Sequence, residues 1–291
     1  MPPHAPSNSR PEPPDPPDRS RVLTEQRNPR SMRLHEMSVS QITRLIHEED
    51  RSVASAVEQA LPRIDALIQD AEPGWLRGGR LVYLGAGTSG RLGVLDASEC
   101  PPTFSTPPER VVGIIAGGDG ALRRSSEGAE DDPLGAVPAL RALSLSGDDC
   151  VIGIAAGGTT PYVLGALEWV KKQTDARTAL LCCAPVHEAP AFVDHLLCVP
   201  TGPEVVTGST RMKAGTATKL VLNTISTTLM IREGRVRENL MIELRATNDK
   251  LRDRCARVLM TLTGLDRARA LELLDDSGGS VRRALERFGP R

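Results

Sequence analysis

The chain has 291 residues and a formal net charge of −1, with 40% hydrophobic and 25% charged residues, which is typical of a globular protein. The near-neutral charge and the 2% aromatic content argue against a nucleic-acid partner, because such binding uses basic patches and stacking aromatic rings. No apolar stretch approaches the roughly 20 residues that span a bilayer, and the N-terminus lacks a secretory signal. We therefore expect a cytoplasmic protein with no membrane partner.

The six cysteines form no C-x-x-C pair and lie mostly in apolar runs, so we expect reduced cysteines that serve as small core residues. Cys100 follows an acidic residue and precedes two prolines, but a nucleophilic cysteine needs a paired base. None of the five histidines is near it in sequence. No spacing typical of metal ligands occurs, so neither a metal nor an organic cofactor is predicted.

The N-terminal part is predicted to contain a tail and then helices. Residues 1–20 hold eight of the 23 prolines, which predicts a disordered tail. Residues 21–70 follow as a helical segment, in which Ser38-Val39-Ser40-Gln41 fits a capping box. Apolar residues recur there at helical spacing until Gly78-Gly79. Pro62 lies inside the pattern and is typical of a kink or a helix boundary.

From residue 80 onward, short and fully apolar runs alternate with helix-compatible segments. Continuous apolar runs indicate parallel strands that are covered on both faces. We therefore predict an α/β fold with a three-layer parallel-sheet domain over residues 71–234. The five runs cover residues 81–84, 111–116, 150–156, 178–184 and 195–199.

The last third of the chain has helical periodicity. A long apolar pattern over residues 210–231 predicts one helix, and a second pattern runs from about 239 to 262. Residues 266–291 predict two short helices broken at Gly278-Gly279. Residues 235–291 are thus expected to form a small C-terminal helical region.

The most informative stretch joins the first apolar run to a helix through Gly85-Ala86-Gly87-Thr88-Ser89-Gly90. Its glycines let the backbone turn sharply, and the helix N-terminus that follows favours a bound anion. A second turn with hydroxyl groups, Gly157-Gly158-Thr159-Thr160, follows the third run. Both turns fall at the carboxyl ends of the strands, where parallel sheets bind ligands. A phosphorylated ligand is therefore predicted.

The first turn also fits the G-x-G-x-x-G fingerprint of dinucleotide-binding proteins. That fingerprint needs an acidic residue about 20 positions later, at the end of the next strand. Here the first acid after that strand is Asp119, beyond the expected place, and the Walker pattern is absent. Two hydroxyl-bearing turns facing one cleft favour a compact phosphorylated ligand over a dinucleotide.

Five motifs in order resemble those of the N-acetylmuramic acid 6-phosphate etherases, which belong to the sugar isomerase (SIS) domain superfamily. The likeness covers roughly residues 22–290 and implies that the three-layer domain is an SIS domain. It also implies a homodimer with sites near the subunit interface. The motifs are TEQRN from Thr24, GAGTSGRLGVLDASECPP from Gly85, EGAED from Glu127, TGSTRMKAGT from Thr207 and ATN from Ala246.

The resemblance implies that the substrate is a phosphorylated amino sugar, N-acetylmuramic acid 6-phosphate, and that the products are N-acetylglucosamine 6-phosphate and D-lactate. In the open-chain aldehyde, the lactyl oxygen is β to the carbonyl group. Removal of the C2 proton then lets lactate leave, and water adds at C3. Carboxyl groups can carry these proton transfers. The family's proton donor matches Glu99, and its second catalytic glutamate matches Glu130.

The two hydroxyl-bearing turns and the motif TGSTRMKAGT from Thr207 supply the residues that are predicted to bind the substrate. Ser and Thr at these places are also common helix caps, and a cation such as Lys213 or Arg211 is either a phosphate ligand or simply solvated. The second turn departs from the family's Ser-Gly-Arg-Thr, because Gly157 and Thr159 replace the serine and the arginine. The predicted substrate-binding residues are Thr88, Ser89, Gly90, Gly158, Thr160, Ser209 and Lys213.

Two other functions fit the same fold. One is a non-catalytic sugar-phosphate sensor resembling the glucokinase regulatory protein, and the other is an aldose–ketose isomerase. The sensor has two tandem SIS domains, whereas this chain has room for one and keeps both glutamates. These features favour the etherase.

Overall fold

A computed structural model describes residues 23–124, 126–186 and 188–289. The predicted disordered tail at residues 1–20 lies outside them. All five apolar runs are confirmed as strands, namely β1 (Leu81–Gly85), β2 (Val111–Ile115), β3 (Cys150–Ile154), β4 (Arg177–Cys182) and β5 (His195–Cys198). They form one parallel sheet in the order β2-β1-β3-β4-β5.

Helices cover both faces of the sheet, which confirms the predicted three-layer α/β fold. The helices are α1 (Val39–Leu76), α2 (Gly87–Phe104), α3 (Val137–Leu143), α4 (Pro161–Gln173) and α5 (Lys213–Arg232). In β1, Tyr83 packs on one face with α1, α2 and α5, whereas Val82 and Leu84 pack on the other with α3 and α4. This alternation explains why the strands are fully apolar.

Helix α1 begins where the sequence predicts. The Ser38 hydroxyl accepts from the Gln41 N–H and the Gln41 side chain accepts from the Ser38 N–H, so the capping box is present. The helix continues through Pro62 for a total of 38 residues, so Pro62 marks no helix boundary. Packing of its apolar face on α5 and the sheet outweighs the local cost of the proline.

The C-terminal region forms a separate core, and one part of its prediction is wrong. Residues 236–241 form a hairpin, β6 (Val236–Arg237) and β7 (Leu240–Met241), in place of the start of a helix at 239. Helix α6 (Asp249–Thr263) begins only after its N-cap residue, Asn248. The side-chain oxygen of Asn248 accepts from the Leu251 N–H at 2.8 Å. Asn248 is a strong N-cap, and the helical spacing upstream misled the prediction.

The two short helices of the tail are confirmed as α7 (Arg267–Asp276) and α8 (Val281–Phe288), with Gly278 and Gly279 between them. They pack on α6 around Leu259 and Leu274. The division of the chain at residues 70 and 234 stays a prediction, and α1 continues through residue 70. None of the helices in the described part of the chain has the length and hydropathy that a bilayer crossing requires.

Candidate active site

A polar cavity of about 220 Å³ lies at the carboxyl ends of β1 and β3. The chain leaves β1 towards β2 on one side and returns to β3 on the other, so these two strands flank the switch in strand order. Loops diverge at such a switch and leave a crevice where α/β proteins bind ligands. The turns after β1 and β3 both line the cavity, as the sequence predicts. The predicted residues on its wall are Thr88, Ser89, Glu130 and Thr160.

The turn after β1 presents the N-terminus of α2 to the cavity. The Gly90 N–H makes the first backbone hydrogen bond of the helix, to the Ala86 carbonyl at 3.1 Å, so the N–H groups of residues 87–89 precede that ladder. The N-cap is Ala86, and no side chain caps the helix. The hydroxyls of Thr88 and Ser89 are therefore not used as caps. This turn offers backbone donors and hydroxyls to an anion.

Gly90 has a packing role and is not on the cavity wall. A methyl group on Gly90 would lie 2.5 Å from the Gly85 carbonyl oxygen and 2.7 Å from Ile115 Cγ1. The absence of a side chain lets α2 begin directly against β1 and β2. This close approach fixes the direction of the helix N-terminus.

We expect Gly90→Ala to lower the free energy of unfolding by about 1–3 kcal/mol, because the methyl group must displace backbone atoms. Chemical denaturation of the wild type and the variant measures this change. Gly120→Ala is the matched control, since a methyl group there meets no atom within 4 Å. Equal effects of the two substitutions would contradict the packing role of Gly90.

The turn after β3 contributes the N-terminus of α4. Gly158 adopts φ +74° and donates its N–H to the Ala155 carbonyl at 2.8 Å, which closes the turn. Gly158 itself is buried, whereas Gly157, Thr159 and Thr160 line the cavity. The two residues that depart from the family pattern thus face the cavity. Thr159 lines the wall at the position where the resemblance predicts an arginine.

Glu130 is held against the start of α4. Its backbone carbonyl accepts from the Tyr162 N–H at 3.0 Å, and its half-buried side chain lines the cavity. This long-range bond ties the loop before α3 to the second turn. The structure therefore brings Glu130 together with Thr88, Ser89 and Thr160, as the prediction of a shared site requires.

Lys213 is buried in an ion pair and is not on the cavity wall. Its ammonium lies 2.7 Å from a carboxylate oxygen of Glu49, and both side chains are almost fully buried. The N–H groups of Lys213 and Ala214 donate to the Glu204 carboxylate at 2.9 and 3.0 Å, which caps α5. Burial raises the pKa of Glu204 in spite of these donors. Ser209 lies between two cavity residues, Gly208 and Thr210, without lining the cavity itself.

Glu99 lies outside this cavity within the single chain. It is exposed on α2, about 18 Å along the helix axis from Gly87 at 1.5 Å per residue. It lines a second, mainly apolar cavity between α2 and α5, together with Leu95 and Lys219. One chain therefore does not bring the two predicted catalytic glutamates together.

The sequence analysis missed three polar residues of the cavity wall. Thr24, Glu25 and Thr210 line it, although their motifs were noticed only as points of family likeness. Thr24 and Glu25 belong to a short turn far upstream of the sheet, Leu23–Glu25. Their spacing carries no chemical signal, so only the motif TEQRN could have pointed to them.

The six cysteines are buried, which confirms their expected place in the core. Burial and the neighbouring Asp96 raise the pKa of Cys100 to about 12, so this thiol is a poor nucleophile. In the parts of the chain that the structure describes, no three His, Cys, Asp or Glu side chains are placed to hold a metal ion.

The five-stranded parallel sheet with helices on both faces is the fold of an SIS domain. Residues 53–171 match the family model described as the glucokinase regulatory protein N-terminal SIS domain. An N-acetylmuramic acid 6-phosphate etherase from Gloeobacter violaceus is 52% identical, and the match covers 92% of this chain and 88% of the relative. N-acetylmuramic acid 6-phosphate etherase 1 from Bacillus licheniformis is 48% identical, with 91% and 86% covered. The chain belongs to the N-acetylmuramic acid 6-phosphate etherase family.

Among solved structures, a phosphoheptose isomerase from Neisseria gonorrhoeae is 16% identical, with a TM-score of 0.49. That match covers 65% of this chain and 97% of the isomerase.

Proposed function

We propose that this protein cleaves the lactyl ether of N-acetylmuramic acid 6-phosphate and releases D-lactate and N-acetylglucosamine 6-phosphate. The observation that carries this proposal is 52% identity over 92% of the chain to a relative of that name. The cavity supports it, because two helix N-termini and a glutamate meet at the switch in strand order. Neither the sensor nor the isomerase is favoured by these relatives.

The phosphate group of the substrate is proposed to bind at the N-terminus of α2. The N–H groups of residues 87–89 and the hydroxyls of Thr88 and Ser89 belong to this helix start on the cavity wall, and the positive end of the helix dipole favours a dianion. Thr160 and the start of α4 face the same space. No lysine or arginine occurs among the described residues that line the cavity, so in this subunit main-chain N–H groups and hydroxyls are the donors proposed for the phosphate.

The chemical step is an elimination followed by a hydration. A base removes the proton from C2 of the open-chain sugar, the C3–oxygen bond breaks, and an acid protonates the departing lactyl oxygen. Water then adds to C3 and a proton returns to C2. Glu130 faces the cavity and is proposed to carry one of these proton transfers.

We further propose that the active unit is a homodimer in which each cavity receives the partner's Glu99. Glu99 is exposed on α2 beside an apolar cavity, and Leu95 next to it is 51% exposed. A second copy that covers this face buries the leucine and carries the glutamate to a neighbouring cavity. The arrangement reconciles the predicted roles of Glu99 and Glu130 with their separation in one chain. A cytoplasmic location stays a prediction.

The test is to incubate the purified protein with N-acetylmuramic acid 6-phosphate and to measure D-lactate. We expect release by the wild type and a rate about 10²- to 10⁴-fold lower for Glu130→Gln, which keeps the size of the side chain but cannot transfer the proton. Glu58→Gln, an exposed residue of α1 outside the cavity, is the control. Tight binding of the substrate without any lactate would favour the sensor, and sugar interconversion without lactate would favour the isomerase.

A further inference from the structure

A second carboxylate faces the cavity from a segment to which the resemblance assigns no role. Glu25 ends the turn Leu23–Glu25 and lines the cavity together with Glu130. Among the described residues on the wall, these two are the ionisable ones, and the rest are glycine, alanine, serine and threonine. The cavity therefore has one more acidic group than the proposed chemistry uses in this subunit.

The turn with Glu25 is docked closely on the loop that precedes α5. The Gly208 N–H donates to the carbonyl of the buried Thr24 at 3.1 Å. A methyl group on Gly208 would lie 3.0 Å from Glu25 Oε2, and Gly208 has φ +74°. Glycine suits this position because it tolerates the positive φ and because it has no side chain to crowd the Glu25 carboxylate.

A buried polar cluster fixes the chain three residues after Glu25. The Asn28 side-chain amide donates to the Glu49 carboxylate at 2.9 Å, and Lys213 and Arg30 bind the same carboxylate at 2.7 and 2.8 Å. Asn28, Glu49 and Lys213 are each at most 8% exposed. The segment is thereby attached to both α1 and α5, which gives Glu25 a rigid support.

We infer that Glu25 is a substrate-positioning residue whose carboxylate accepts hydrogen bonds from the hydroxyl and acetamido N–H groups of the amino sugar. The inference rests on the proposed function. A carboxylate only accepts hydrogen bonds, and it repels the phosphate, which the N–H groups of α2 hold. Glu25 is therefore left to bind the neutral donors of the substrate, its hydroxyl and acetamido N–H groups. It thus orients the C2 and C3 atoms of the sugar relative to Glu130.

The test compares Glu25→Ala and Glu25→Gln with the wild type. We expect Glu25→Ala to raise KM about tenfold or more and to leave kcat within about threefold, because a hydrogen bond to a charged acceptor made equally in ground and transition states is lost. Glu25→Gln keeps one acceptor oxygen and is expected to raise KM less. Glu25 is exposed, so the melting temperature stays unchanged. Glu58→Ala, which removes an exposed glutamate outside the cavity, is the matched control.

Calorimetric binding of N-acetylglucosamine 6-phosphate separates this inference from the proposed function, because it needs no turnover. We expect Glu25→Ala to raise the Kd for this product by about the same factor as it raises KM. An unchanged KM and Kd would overturn the positioning role, and so would a large loss of kcat at constant KM, which assigns Glu25 to the chemistry itself. Absence of lactate from the wild type, with binding still weakened in Glu25→Ala, rejects the proposed activity and keeps Glu25 as a sugar ligand.

Discussion

Replacing Glu99 by glutamine is expected to lower the rate of D-lactate release by about 10²- to 10⁴-fold, the usual effect of removing a positioned general acid or base. Glutamine keeps the volume of the side chain, but its amide is too weak an acid to donate the proton. Glu99 is exposed on α2, so we expect the variant to fold as well as the wild type. Initial rates of lactate formation, with melting curves of both proteins, measure the effect.

Mixing two inactive variants tests whether Glu99 acts across a dimer. Refolding Glu99→Gln together with Glu130→Gln gives mixed dimers in about half of the molecules. If the partner's Glu99 completes each cavity, one of the two sites in a mixed dimer has both glutamates. The mixture then regains about a quarter of the wild-type activity.

The same mixture stays inactive if both glutamates act within one chain, because every site then carries one substitution. That result would reject the shared site. The control is Glu99→Gln protein taken through the same refolding by itself, compared with Glu99→Gln protein that was not refolded. Undiminished activity of Glu99→Gln alone would remove Glu99 from the chemistry.

Lys213→Met is expected to lower the free energy of unfolding by about 3–5 kcal/mol, the cost of leaving one member of a buried ion pair without its partner. The Lys213 side chain is 3% exposed, and its ammonium lies 2.7 Å from the Glu49 carboxylate. Urea denaturation measures the loss. Lys172→Met is the matched control, because Lys172 pairs with Glu168 on the exposed face of α4 and such pairs contribute about 0–1 kcal/mol.

The double variant Glu49→Gln/Lys213→Met is expected to regain part of the lost stability, since the uncompensated charge is then gone. If the double variant loses the sum of the two single losses, the pair is not coupled. Damage to the cavity is expected to accompany the loss in Lys213→Met, because the same cluster anchors the turn with Glu25.

The loss in Lys213→Met is also expected to depend on pH. Burial alone would raise the pKa of Glu49, but Lys213, Asn28 and Arg30 together lower it below its ordinary value of 4.5. Because the pKa of Glu49 is lowered in the folded state, its ionised form stabilises the protein above pH 4.5. This stabilisation disappears as the pH falls through the folded-state pKa. The difference between the wild type and Lys213→Met therefore shrinks in acid. A constant difference down to low pH would contradict this assignment.

Local sequence patterns determined the sheet, several helix ends and the place of the cavity. Apolar runs marked all five strands, Ser38 with Gln41 marked the start of α1, and the glycine turns marked the edge where the site lies. These features follow from backbone geometry within a few residues, so they can be read from spacing alone. The family motifs added the reaction and the two glutamates, whose roles stay predictions.

Only the tertiary structure decided which side chains share a site. Lys213 forms an ion pair with Glu49, 164 residues earlier in the chain. It therefore does not line the cavity for which the sequence predicted it. Glu25 comes to the cavity from a distant turn, whereas Glu99 faces away although it shares α2 with Thr88 and Ser89. Ion pairs, docking of loops and the face of a helix depend on what packs against each residue, and that packing is not encoded in local spacing.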